Sequence, residues 1–384
     1  MSSNNLYSER LERCKKAIML EKPDRVPVIC KTEPTYAIQY AGYNLKKALW
    51  DIDLLIKAMD KLYEDFYFDA GGFMGRFPLF YKITGSKTIV PNDRDGYMQH
   101  PEVTGLKAEE YDEYIEDPYK CIIEKIVPRL YTELGKPGIE GCLNWARAIY
   151  ANNIIKEKIA AGNAMLSQKH GIASIRRGIT EAPLDFIADF IRGFTGISKD
   201  MRRYPEKVRL AAEASLPLMI KLAKLTNPTP GIIPSVFIPL HMPPYMRTID
   251  FEKLYWPTFE KLCRTLTSEG YTLQIFFEKN WTRYYDYLQE LPKGIIGYFE
   301  EDDLGVVKEK LGKTMCIMGN FPVNMLKLNT KQECIDKAKE IIDKAAPGGG
   351  YMFTVDKSIL LLNDAKPENL RAVNEFVHEY GTYK

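Results

Sequence analysis

At 384 residues, 45% of them apolar, the chain has enough apolar mass for a large core, which excludes a disordered polymer. Its 53 basic residues against 51 acidic ones, with no basic run, argue against nucleic acid and leave a small molecule or a protein as partner. The seven cysteines (14, 30, 121, 142, 263, 316 and 334) are scattered with no CxxC pair, so neither a disulfide framework nor a zinc knuckle is encoded. The N-terminus is polar, and no apolar stretch reaches the ~20 residues of a membrane span. A cytoplasmic protein off the membrane is expected.

In chain order, an amphipathic helix is predicted from about Tyr7 to Leu20, ended by Pro23, and a short apolar strand follows at 25–30. A helix over about 45–64 leads into a strand at 65–69, closed by Ala70-Gly71-Gly72. Between about 80 and 170 the pattern weakens in a stretch rich in Tyr, Pro, Lys and Glu, which reads as a variable insertion over one end of the core. Regularity then returns. Apolar strands at 231–240, 271–277, 294–299, 314–319 and 351–355 alternate with helices at about 251–268, 281–290, 303–311 and 331–345. A last helix begins near Pro367 and stops at Gly381. Strand and helix at this cadence give right-handed βαβ units on a parallel sheet. The near-continuous apolar strands imply burial on both faces. Periodicity alone does not choose between an open sheet and a closed barrel, but in both the chemistry sits at the strands' C-terminal ends. No GxGxxG or GxxxxGK[ST] occurs, so a nucleotide site has no support.

The strand ends supply Asp69, His241, Glu278, the run Glu300-Glu-Asp-Asp303, Asn320 and Asp356. A His, several carboxylates and an amide on one rim suit an acid–base or metal site. Glu278, flanked by Phe276, Phe277 and Trp281, is expected to be partly desolvated, so it must be protonated, paired or metal-bound. The acidic run is equally suited to capping the helix that follows it. Cys263, inside a helix, is more often a small core residue than a thiolate ligand.

The chain resembles uroporphyrinogen decarboxylase-like proteins over most of its length. The resemblance is carried by Glu9-Arg-Leu-Glu-Arg13, Pro23-Asp-Arg-Val-Pro-Val28, Asp65-Phe-Tyr-Phe-Asp69, Ile191-Arg-Gly193 and Tyr255-Trp-Pro257. It is strongest in Met318-Gly-Asn-Phe-Pro322, Gly348-Gly-Gly350 and Lys366-Pro-Glu-Asn-Leu370. It implies an α/β chain forming one (β/α)8 TIM barrel over residues 1–384, with an N-terminal helical extension, an insertion at about 80–170, and often a homodimer. The arginine-rich segment by which true decarboxylases hold a porphyrinogen is replaced here by Thr32-Glu-Pro-Thr-Tyr-Ala-Ile-Gln-Tyr-Ala-Gly42. A polycarboxylate macrocycle needs several guanidinium partners.

The corrinoid-dependent methyltransferase branch, ether-cleaving members above all, is therefore the nearer resemblance. It implies transfer of a methyl group from a small aromatic O-methyl donor to the cobalt of a corrinoid carried by a partner protein, with zinc polarising the ether. The zinc pattern of that group, anchored on Glu278, falls on Cys263, Glu278 and Phe299. Phe299 cannot bind metal, so His241 or Glu300 is needed to complete the set. The expected metal ligands are thus His241, Glu278, Cys263 and Glu300. The expected catalytic residues are Glu278, Asp69 and Asn320, and Phe277, Trp281, Tyr245 and Arg192 are the expected substrate contacts. A decarboxylase of a small acid and a non-catalytic binding barrel are the alternatives.

Overall fold

The computed structural model describes residues 3–384. Six strands lie parallel in chain order: β1 (Arg176–Ile179), β2 (Gly231–Leu240), β3 (Tyr271–Phe277), β4 (Ile295–Phe299), β5 (Met315–Met318) and β6 (Tyr351–Met352). Two short segments close the row into a ring. Val28 pairs with Phe353, Ile29 with Ala70, and Ala70 with Ala173, all in parallel sense. Eight ladder positions joined in this way make a closed (β/α)8 barrel.

The sequence placed the elements well in the second half and less well in the first. The helix expected over 45–64 divides, because Asn44 caps a short turn and Asp51 caps a fresh helix, α2 (Ile52–Asp65), by accepting from the backbone N–H groups of Asp53 and Leu54. That helix runs to Asp65, so the strand expected at 65–69 shrinks to the bridges that Ala70 makes with Ile29 and Ala173. β1 was not anticipated. It is short and carries two arginines and a glycine, so it lacks the apolar run that marks the other strands. The predicted insertion contains a two-stranded hairpin and then α3 (Gly138–His170), a 33-residue helix. Ile139, Leu143, Ile149 and Tyr150 of α3 are exposed, so its apolar residues form no single stripe, and the periodic signal is correspondingly weak.

Side chains alternate faces along each strand. Leu273, Ile275 and Phe277 of β3, with Ile295 and Phe299 of β4, pack outward into the main core beneath the helices. Ile296 and Tyr298 of β4, Cys316 and Met318 of β5, and Met352 of β6 point inward and form the barrel's own core. The N-terminal helix α1 (Ser3–Ile18) contributes Cys14, Ala17 and Ile18 to that inner core, so it plugs the N-terminal end of the barrel. Gly349 lies there at φ +85, where a Cβ would stand 2.5 Å from the Glu21 carbonyl oxygen. The glycine run is thus explained by chain packing. With one end plugged, the opposite mouth is the one open to ligands. Among the described residues no helix is long and apolar enough to cross a membrane.

Candidate active site

Inward parity fixes what the mouth contains. On β3 the face that carries Phe276 also carries Glu278. β2 runs in register beside it, pairing Leu240 with Phe277, so the next residue, His241, comes level with Glu278. His241 Nε2 lies 3.7 Å from Glu278 Oε1, and each side chain is about one-third exposed.

Behind His241 stands a row of carboxylates. Glu181 follows β1, Asp185 lies on the turn Pro183–Phe186, and Asp189 lies on the π-helical turn Ile187–Arg192. The spacing of four puts Asp185 and Asp189 along one face of this helical segment, with Glu181 just ahead of it. Asp189 bonds to His241 Nδ1. Burial alone would disfavour the imidazolium, but the bond to Asp189 and the charges of Asp189, Asp185 and Glu278 outweigh it and raise His241 to about 10. At neutral pH the ring is therefore a cation with Nε2–H directed to the mouth. Asp185 accepts from the Met242 N–H at 2.8 Å and the Tyr255 hydroxyl at 2.5 Å. Burial, with the nearby charge of Asp189, raises it to about 7. Glu181 is buried, its Oε2 has no hydrogen-bond partner, and burial lifts its carboxyl well above the usual range. Burial likewise raises Glu278, opposed by His241. Perturbed acids grouped around one histidine at a strand end are the arrangement expected of an acid–base site.

Of the residues proposed from sequence, the structure brings His241 and Glu278 together. Glu300 is also inward, but it is committed: its Oε2 accepts from the Lys279 N–H at 2.8 Å, and its Oε1 faces Lys357 Nζ at 3.5 Å. Asp303 caps the next helix by accepting from Gly305 and Val306 N–H. Tyr245 reaches the rim, 60% exposed, with its ring against Phe194.

Six of the proposed residues lie away from this pair or are held by other partners. Phe277 and Trp281 are on the outward face and fully buried in the main core, one residue out of phase with the pocket wall, which Phe276 supplies instead. Trp281 still serves the site, since its Nε1–H donates to the Glu278 carbonyl at 2.8 Å. Asn320 donates its amide to the carbonyls of Glu300 and Asp302 and so staples the loop after β4. Arg192 points away to a two-point ion pair with Asp200. Cys263 is sealed in the outer core, where burial raises its thiol. Asp69 is fully buried and saturated: it takes bonds from the Val28 N–H, the Tyr67 hydroxyl and Arg13, which ties α1 to the barrel.

These positions bear on where a metal ion could be held. Asp189 behind the ring is the kind of partner that orients a metal-bound histidine, but the remaining donors do not converge. Cys263 is in the core, Glu300 is held elsewhere, and among the described residues no group of three His, Cys, Asp or Glu side chains is disposed to hold a metal ion. The residues present do not fit a zinc site.

Sequence reasoning missed Glu181, Asp185, Asp189 and His100. The first three announce themselves as acids repeated at intervals of four directly after a strand. His100 comes from the segment read as an insertion. Its ring lies 5.9 Å from Phe190, and burial lowers it, with the charges of Asp189 and His241 acting on it. Part of that segment therefore borders the mouth.

The comparisons agree with this architecture. A family model, Uroporphyrinogen decarboxylase (URO-D), matches residues 166–380, more than half of the chain. Two curated relatives are named uroporphyrinogen decarboxylase. The one from Methylococcus capsulatus is 25% identical over 116 residues, covering 30% of this chain and 32% of that protein. The one from Bacillus velezensis is 27% identical over 136 residues, covering 35% and 37%. The chain thus spans about a third of the length of the curated relatives it matches. A solved structure of a methyltransferase from Methanosarcina mazei superposes with a TM-score of 0.63 at 14% identity, covering 97% of this chain and 98% of that one. That likeness establishes the fold. On the family match and the closed barrel together, this chain belongs to the uroporphyrinogen decarboxylase (URO-D) family.

Proposed function

We propose that the protein is a methyltransferase that takes a methyl group from a small aromatic O-methyl donor and passes it to the cobalt of a corrinoid carried by a separate protein. The observation that carries this is His241, held as a cation by Asp189, facing Glu278 across an open barrel mouth. An aryl ether oxygen leaves poorly unless the charge it acquires is met by a proton or a cation. In the reaction the methyl carbon–oxygen bond breaks, the oxygen keeps the bonding pair, and the carbon bonds to the acceptor. This chain's part is to supply the proton. A departing phenolate has an affinity for protons close to that of a tyrosinate, about 10, and His241 is raised to about 10. Donor and leaving group are therefore matched. The proton rests on His241, and Glu278, desolvated beside it, hands it to the oxygen. The fold likeness to a methyltransferase from Methanosarcina mazei supports the assignment.

The test is methyl transfer from a panel of methoxybenzenoids to reduced cobalamin, followed spectroscopically. Transfer from at least one donor is expected. Failure with every donor contradicts the proposal. Decarboxylation of an aromatic acid is the second reading, favoured by the names of the two curated relatives. Carbon dioxide released from carboxylated members of the same panel, without methyl transfer, would establish it instead.

A further inference from the structure

We propose that Lys31 and Arg176, half-buried inside the barrel, form an anion subsite built to take the carboxylate of an aromatic acid. The identity of that acid as the methyl donor rests on the function proposed above; the binding does not. Lys31 follows the first strand segment, and its Nζ lies 4.6 Å from the centre of the Tyr298 ring and 5.0 Å from that of Phe237. The Arg176 guanidinium carbon lies 4.9 Å from the same Phe237 ring. Its hydrogen-bond partner is the Met74 sulfur at 3.8 Å. Among the described residues neither cation has a carboxylate within ion-pair distance, although the charge of Glu33 acts on both from further off. Two like charges bearing on one ring repel each other, and a partly desolvated cation without a counterion is costly. A cation–π contact returns only about 0.5–2 kcal/mol. One carboxylate placed between them would neutralise both, with the guanidinium offering a two-point grip.

The electrostatics of the pair carry the cost of this arrangement. Burial, aided by the Arg176 charge and opposed by that of Glu33, pushes Lys31 down to about 7, and burial also lowers Arg176, again against Glu33. An arriving anion must reverse the first shift, so binding at slightly alkaline pH should draw a proton onto Lys31. The route from this subsite to the acid pair is aromatic. Tyr298 stacks on Phe276 at 4.4 Å, and Phe276 stands two residues before Glu278 on the same strand face. An aromatic acid anchored at Lys31 and Arg176 would lay its ring along Phe276 and Tyr298, with its ether end directed to Glu278.

Calorimetry distinguishes this without any acceptor present. Wild-type protein, Lys31→Met and Arg176→Met are titrated with 4-methoxybenzoate and with 4-methoxybenzamide, its neutral counterpart of similar shape. Wild type is expected to prefer the acid by about tenfold or more, with proton uptake revealed by heats that vary with the buffer's ionisation enthalpy. Each substitution should erase the preference and leave amide binding unchanged. Equal affinity of wild type for acid and amide overturns the subsite, a result independent of how the variants fold. So does a preference that survives both substitutions. A preference for the acid without methyl transfer would leave the subsite standing and sink the function, while transfer from neutral ethers with no such preference would do the reverse.

Discussion

Asp189 binds Nδ1 of His241 from behind, so the nitrogen left to face Glu278 is Nε2. That one contact decides both the protonation of the ring and its direction. It also joins two loops far apart in sequence, the one after β1 and the one after β2.

Asp189→Asn should therefore move the titration of His241 downward. In wild type the imidazole is held at about 10, and without the carboxylate it should fall toward its ordinary 6.5. Histidine NMR signals followed against pH would report this directly. The stability consequence has a definite sign. A histidine whose folded value is raised stabilises most below its unfolded value and loses that contribution as pH rises to the folded one. The gap in stability between wild type and Asp189→Asn should be largest below about pH 6.5 and close as pH approaches about 10.

Asp185 behaves oppositely to an ordinary surface carboxylate. Its folded value, about 7 against 3.8, means that the folded state favours the protonated acid. Its contribution is present below about pH 4 and lost as pH rises to about 7. Asp185→Asn, which keeps an acceptor for the Met242 N–H, should gain stability relative to wild type across that window in urea titrations. A constant difference at all pH values would show that folding does not shift Asp185 from its ordinary value.

Asp69 is expected to matter for folding rather than for turnover. Breaking a buried ion pair by removing one partner costs roughly 3–5 kcal/mol, and Asp69 is fully buried against Arg13. Asp69→Asn should lower the denaturation midpoint markedly, while kcat and KM of the folded fraction stay at wild-type values. A selective loss of kcat in a protein of normal stability would place Asp69 in the chemistry after all.

Much of this could be read from the residues alone, and the gaps have physical causes. The apolar runs from Gly231 onward, separated by amphipathic helices, specify a parallel sheet. Gly381 and Pro367 bound the last helix as expected. The pairing of His241 with Glu278 was legible because both directly follow apolar strands. The parity of β3 was not: Phe276 and Phe277 are chemically alike, and which of them faces inward depends on ladder register. Arg192 and Asp69 carry charges that suggest function, but their partners, Asp200 and Arg13, become neighbours only when the chain folds. Lys31 and Arg176 were hidden for a like reason, since the Phe237 ring that both cations face joins them only in the folded chain.

The most direct test is the rate of a single methyl transfer from a methoxybenzenoid to reduced cobalamin, wild type against Glu278→Gln. The substitution keeps the shape of the side chain and the Trp281 bond to the Glu278 carbonyl, but removes the group that passes on the proton. A fall of about 100-fold or more is predicted, with donor binding little changed. Equal rates for the two proteins would contradict the assignment of Glu278.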